Sequence, residues 1–245
     1  GGRGGSIPPC WIRAGPRLAG NGKRSMERQI DVQLRKLKDE LLRMGSLAEE
    51  AIGLSIKALV TRDAKLAQQV IASDEAINAL EIEIDEICLH IMALFQPEAG
   101  DLRSLAMSLK INNDLERMGD QAVNIGERTL ELLKEPLLKP LIDIPRMAEL
   151  AQRMVKDSLD AFVQRDVELA RSVCRRDDHV DQLDDQMFRE LLTYMMQDPK
   201  TITRAVNLIL VSRHLERIAD HATNIAEDVV YLVQGRTIKH HVAGE

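Results

Sequence analysis

The chain predicts an all-α fold made of two tandem three-helix bundles, and three observations carry that prediction. A stretch at 115–127, LERMGDQAVNIGE, returns at 215–227 as LERIADHATNIAE, an offset of 100 residues. Apolar residues fall at helical spacing through most of the chain. Aromatic residues make up only 2% of it, so any core must be built from Leu, Ile, Val, Ala and Met, the residues of helix-on-helix packing.

In order along the chain, residues 1–25 carry Gly, Pro and Arg, no acids and no period, and are expected to be a disordered extension or a remnant ahead of a natural start at Met26. From 26 to about 60, Ile30, Leu34, Leu37, Leu41, Met44, Leu47, Ala51 and Leu54 mark a long first helix. Thr61-Arg62-Asp63 turns the chain, with Asp63 as N-cap of a second helix running to about Phe95. A Gln96-Pro97-Glu98-Ala99-Gly100 break precedes a third helix from near Asp101 to Glu135, and Pro136, Pro140 and Pro145 mark a linker. The same layout then recurs: Gln164-Arg165-Asp166 mirrors Thr61-Arg62-Asp63 at an offset of 103, and Asp198-Pro199 stands for the earlier break. This gives a first bundle over 26–137, a second over 138–240 and a tail at 241–245, with helices of roughly 30 residues, about 50 Å, joined by short turns.

Composition narrows the function. A net charge of −6 with no basic-aromatic patch argues against nucleic acid as a partner. The longest apolar run, near 205–211, is far short of the roughly 20 residues a bilayer crossing needs, so no membrane insertion is expected. Cys10, Cys88 and Cys174 are an odd, widely spaced set that gives neither a disulfide framework nor a CxxC metal site, and a reducing cytosol fits them. No glycine-rich phosphate loop, Ser-His-Asp set or Cys-His pair is present, and Gly119 and Gly126, which become Ala219 and Ala226, read as small residues permitting close helix approach.

The chemistry lies in the repeated stretch. Residues three or four apart share a helix face, so Leu115, Met118, Ala122 and Ile125 make an apolar seam, as do Leu215, Ile218, Ala222 and Ile225. About 100° around the helix runs an acidic stripe, Glu116, Asp120, Asn124 and Glu127, repeated as Glu216, Asp220, Asn224 and Glu227. Like charges at this spacing cost an isolated helix about 0.2 to 0.5 kcal/mol per pair. Arg117 and Arg217 ease that cost on a solvated face, and a cation would remove it. The second helix of each half adds Asp74, Asn78, Glu81 and Asp85, or Asp177, Asp181, Asp184 and Asp185. If the second and third helices lie antiparallel, Glu81/Asp85 face Glu116/Asp120 and Asp181/Asp185 face Glu216/Asp220, giving one acidic pocket in each half. An all-oxygen set suits hard cations such as iron(III), manganese, magnesium or calcium and suits zinc or copper poorly. His221, beside Asp220, reads as a surface histidine because Gln121 stands at its place in the first half. His214 has Asp114 at its place in the first half and is a weaker candidate still, and His240-His241 falls in the tail. The methionines, Met195 and Met196 included, read as core filler.

These residues resemble the PhoU family of bacterial phosphate-transport accessory proteins. The likeness rests on the acidic pairs Glu81–Asp85, Glu116–Asp120, Asp181–Asp185 and Glu216–Asp220 inside LERxxDxxxNIxE, the Gln96-Pro97 break, and the runs DEIC at 85–88 and LLTYMMQD at 191–198. It implies two three-helix bundles in a cytoplasmic, often dimeric regulator whose motif carboxylates hold multinuclear iron or other metal clusters. It further implies action at the inner membrane through partners, namely the ATPase subunit of the phosphate ABC transporter and the phosphate-sensing histidine kinase, to repress the starvation response when phosphate is plentiful. One departure is plain in the sequence: the repeat equivalent of Asp85 is Phe188. Three functional readings follow: a non-enzymatic signalling adaptor with metal-binding clusters, a metal-free helical docking module, and a di-iron carboxylate enzyme of the ferritin-like kind. The last would use Glu-x-x-His pairs, which neither site contains.

Overall fold

The structure, a computed structural model, describes residues 21–235, with side chains from residue 29 onward. Six helices follow one another: α1 (Asn21–Thr61), α2 (Ala64–Phe95), α3 (Ala99–Leu132), α4 (Asp143–Gln164), α5 (Val167–Gln197) and α6 (Ile202–Gln234), with a single 3-10 turn at Pro199–Thr201. The disorder expected for 1–25 is corrected in part, since 21–25 open α1; residues 1–20 and the tail with His240 and His241 lie outside the described residues. α4 is 22 residues long and α1 is 41, so the helices are less uniform than the repeat implies. Pro145 is a further correction, because it sits in the first turn of α4, where its missing N–H has no intrahelical acceptor to lose.

The repeat dictates the turns. Asp63 accepts from the backbone N–H of Lys65 and Leu66, and Asp166 accepts from those of Glu168 and Leu169, so both second helices start on the same side-chain cap. The residue before each cap, Arg62 or Arg165, is held in the left-handed region, which costs a residue with a Cβ roughly 1 kcal/mol. Arg62 offsets this by donating to the carbonyls of Leu133 and Glu135, which ties the α1–α2 turn to the end of α3.

α1, α2 and α3 pack as one bundle and α4, α5 and α6 as the other, and the two join through α3 against α6 and α1 against α4. One apolar interior runs through both. Leu37, Leu41, Met44 and Ile52 of α1, Ile77 and Ile84 of α2, and the seam Leu115, Met118 and Ile125 fill the first half. Met147, Met154, Leu215, Ile218 and Ile225 fill the second. The small residues do what their spacing predicts: a Cβ on Gly119 would lie 2.8 Å from Ile77 Cδ1, and one on Gly126 would lie 3.3 Å from the Ala67 carbonyl oxygen. Met196 departs from the core-filler reading, being 78% exposed, whereas Met107, Met118, Met147, Met154 and Met187 are buried.

Candidate metal centre on the helix faces

α3 and α6 run antiparallel with their repeats opposed. Arg128 meets Asn207, Gln121 meets His214, Asp114 meets His221 and Lys110 meets Asp228, so the exchange centre falls between residues 117 and 118. The histidines are therefore seam residues. His221 Nδ1–H donates to Asp114 Oδ1 at 2.9 Å with both side chains mostly buried, which corrects the surface reading of His221. His214 Nδ1–H donates to Gln121 Oε1 at 2.8 Å at the related place. Burial, with Arg217 and Arg128 nearby, pushes His214 down to about 4, so it is neutral at pH 7.

On the outer face of this seam lies a groove of about 800 Å³. Glu81, Glu116 and Asp120 line one wall, Asp220 and Asn224 line the other, and Arg117 and Arg217 stand where the two repeats face each other. Acids of both halves thus open onto one groove, where the sequence suggested two separate pockets.

Within the first half, Asp74, Glu81, Glu116 and Asp120 lie close enough to act on one another. Burial and the charges of Asp120, Glu81 and Asp74 raise the Glu116 carboxyl above its usual range, and burial with Asp74 raises Asp120. Asp74 Oδ2 accepts from Asn78 Nδ2 at 2.8 Å, while its Oδ1 is buried without a partner. Asp85 is turned to other work, accepting from Asn112 Nδ2 at 2.9 Å. Asn112 is fully buried and also donates to the Glu81 carbonyl.

The second half gathers Asp177, Asp181, Glu216 and Asp220. Asp177 is pushed up to about 7 by burial, then by Asp181 and Asp220, against a lowering by the nearby Thr223 hydroxyl, and its Oδ1 is buried without a hydrogen bond just as that of Asp74 is. Asp181, Glu216 and Asp220 are raised as well, burial being the leading cause in each. Asp184 is buried and already matched, accepting from Ser212 Oγ at 2.6 Å and pairing with Arg213 at 3.0 Å. Asp185 points outward, with a side chain 67% exposed that pairs with Arg189. Glu127 is exposed beside Arg128, and Glu227 acts on Cys174 at the far end of the cluster. Asn124 is half-buried.

The antiparallel approach of the second and third helices is therefore present, but the carboxylates it assembles are shifted. Asp74 and Asp177, secondary in the motif reading, are the equivalent pair at the heart of the two clusters, whereas Asp85 and Asp185 are drawn off by Asn112 and Arg189. Asn112 and Ser212 were missed by motif reasoning. Their signal was visible as polar residues at matching places on an otherwise apolar seam. Chemically, each cluster offers crowded carboxylate oxygens, one of them desolvated and unpartnered, and a hard cation satisfies both conditions. Among the described residues no three His, Cys, Asp or Glu side chains stand at coordinating separation, so binding would require side-chain rotation.

Comparison with known proteins agrees with the fold. The PhoU domain matches twice, over residues 41–129 and 144–229. The chain belongs to the PhoU family. A phosphate-specific transport system accessory protein PhoU homolog from Aquifex aeolicus is 47% identical over 208 residues, covering 85% of this chain and 94% of that protein. The homolog from Pseudomonas aeruginosa is 41% identical over 216 residues, 88% of this chain and 89% of its own length. The crystal structure of PhoU from Pseudomonas aeruginosa superposes with a TM-score of 0.82 at 42% identity, covering 84% of this chain and 99% of that one. The phosphate transport system regulatory protein PhoU from Streptococcus pneumoniae gives 0.80 at 30% identity, covering 86% and 99%. The two PhoU matches divide the chain where the linker between α3 and α4 does. Among the described residues, no helix is long and apolar enough to cross a membrane.

Proposed function

We propose that this PhoU-family chain is a non-enzymatic regulator of phosphate uptake and of the phosphate-starvation response. It acts in the cytoplasm between the ATPase subunit of the phosphate ABC transporter and the sensor histidine kinase, and its acidic clusters hold hard metal ions, iron first among them. Relatives named as phosphate-specific transport system accessory proteins support the role. The observation that carries the metal reading is the matched pair of buried, unpartnered carboxylate oxygens on Asp74 and Asp177, each inside a crowd of carboxylates whose proton affinities are raised. A bound cation would supply positive charge to these groups. The chain's own part is to orient Glu81, Glu116 and Asp120 in one half and Asp181, Glu216 and Asp220 in the other. Asp184 and Asp85 would stay with Ser212, Arg213 and Asn112 and hold the helices in register.

Metal analysis of the purified protein tests this directly. Glu116→Ala with Asp120→Ala is expected to lose the ion of the first half and keep that of the second, and unchanged stoichiometry would count against the assignment. A strain lacking the protein is expected to express phosphate-starvation genes in phosphate-replete medium. A metal-free docking module is the second reading, favoured by the side chains of this same chain, Asn112 and Ser212, that already occupy Asp85 and Asp184. Co-purification with the transporter ATPase that is indifferent to chelator would select it.

A further inference from the structure

The face that α5 and α6 present together changes character along its length. On α5 the residues at 181, 185, 188, 192 and 196 follow one another at helical spacing, and on α6 those at 216, 213, 209, 206 and 202 run antiparallel beside them. Toward the C-terminal end of α6 this face is acidic, with Asp177, Asp181, Glu216 and Asp220. Toward the α5–α6 turn it becomes apolar and open: Phe188 is 44% exposed, and Leu192, Met196, Ile202 and Val206 are each more than 40% exposed. A chain with only three phenylalanines leaves one of them in solvent.

The fold does not require this. At the equivalent places in the first half stand Asp85, Leu89, Ala93, Leu102 and Ala106, so the same backbone is built with Asp for Phe188, Ala for Met196 and Ala for Val206. Leu89 and Leu102 are exposed too, so what the second repeat adds is Phe188, Met196 and Val206, which make the tip continuously apolar and give it an aromatic centre.

We propose that the α5–α6 tip is a docking surface for an amphipathic helix of a partner protein, one whose apolar stripe ends in Arg or Lys. This deepens the accessory-protein reading and rests on it. The stripe would lie over Phe188, Leu192 and Val206, and the basic end would reach Asp181 and Asp220. Arg213 is matched by Asp184 and Glu216 and Arg189 by Asp185, and Arg217 offsets only part of the charge of Asp220, so with no cation bound the charge that Asp181, Glu216 and Asp220 present to the partner is negative. That charge excludes an anionic lipid surface as the occupant. A second copy of the chain would bring like charge, and a stable dimer needs about 800 Å² per partner, whereas positions 188–196 span only about 12 Å of α5.

The probe is a synthetic amphipathic helical peptide of roughly five turns, with Leu at every third or fourth position and Arg in its last turn, titrated against the full chain by fluorescence anisotropy. Wild-type protein is expected to bind it. Phe188→Asp with Met196→Ala, which installs the first repeat's own residues, should weaken binding by about tenfold or more, as loss of an aromatic anchor does. Leu89→Asp in the first bundle should leave binding unchanged, and a peptide with Glu replacing Arg should bind less tightly, with the difference shrinking at high salt. The inference is overturned if wild type binds no peptide, if the double variant binds as tightly as wild type, or if the tip instead drives a concentration-dependent dimer or vesicle binding that the variant abolishes. The titrations use chelated full-length protein, because the Asp181 and Asp220 that would meet the peptide's Arg are also those that would hold a cation, and no transporter is present, so their failure leaves the regulatory reading standing. A wild-type phenotype in the deletion strain would sink that reading by itself.

Discussion

Glu81 of the first bundle and Asp184 of the second stand at the same place in the repeat and do different work. Glu81 lines the open groove between α3 and α6. Asp184 is 3% exposed and bound to Ser212 and Arg213. The backbones around them are equivalent, down to the capping aspartates Asp63 and Asp166 and the left-handed arginines before them. What differs is the opposing helix, where Asn112 and Asn113 are replaced by Ser212 and Arg213. Duplication thus fixes where a carboxylate sits, and its neighbour decides whether it is structural or available.

The largest effect expected from breaking this comparison follows from that. Asp184→Ala removes the acceptor of a buried hydroxyl and the partner of an arginine, and should lower unfolding free energy by about 2 to 3 kcal/mol. Glu81→Ala removes a side chain that lines the open groove and should change stability by less than about 0.5 kcal/mol. Urea denaturation of the two variants side by side measures the contrast, and equal losses would show that the two positions are functionally equivalent after all.

A smaller effect tests the packing between the second and third helices. Gly119 faces Ile77 in the first half, and the corresponding residues in the second are Ala219 and Val180, so one methyl group has changed sides. Gly126 and Ile71 correspond likewise to a larger Ala226 and a smaller Cys174. Gly119→Ala gains helix propensity but drives its Cβ into Ile77 Cδ1, and overpacking of this kind costs about 1 to 3 kcal/mol. Ile77→Val alone opens a small void at about 0.5 to 1.5 kcal/mol. Together they rebuild the second half's arrangement, so a double-mutant cycle should return a favourable coupling of about 1 kcal/mol or more. Additive losses would mean that the helices do not meet through this pair.

Much of this was legible in the sequence. The six helices, the N-caps and the apolar seams follow from periodicity and from the repeat, because each depends on residues a few positions apart. The acidic faces were legible as faces. Their membership was less so, since it depends on long-range partners: Asp85 is held by Asn112 and Asp184 by Ser212 across helix pairs, and no local spacing reports that. His221 was misread for the same reason. Its repeat mate is Gln121, which suggests exposure, yet the antiparallel seam places each of the two against the other repeat's residue, Asp114 or His214. The Phe188 substitution was visible as a departure from the motif, whereas its place on an exposed apolar tip required the fold.

The smallest expected effect concerns the charge of the second cluster. Asp181 occupies the place held by Asn78 in the first half, and its charge is the second cause, after burial, of the rise that brings Asp177 to about 7. The unfolded chain releases this proton near the ordinary aspartate value of about 3.9. The folded protein keeps it until about pH 7, so the stability linked to Asp177 is fully present below pH about 4 and is lost as pH rises through 7. Asp181→Asn copies the first half's residue and removes one like charge. In chelated protein it should bring Asp177 down from 7, end the loss at a lower pH, and leave the variant more stable than wild type at pH 8. The gain should be on the order of 1 kcal/mol or less, since the site is partly solvated. Urea midpoints collected from pH 5 to 8, with the Asp177 carboxyl followed by NMR, measure both quantities. An unchanged Asp177 titration would mean that burial alone sets its proton affinity, and that the difference between the two clusters lies in desolvation and owes nothing to the number of carboxylates each repeat supplies.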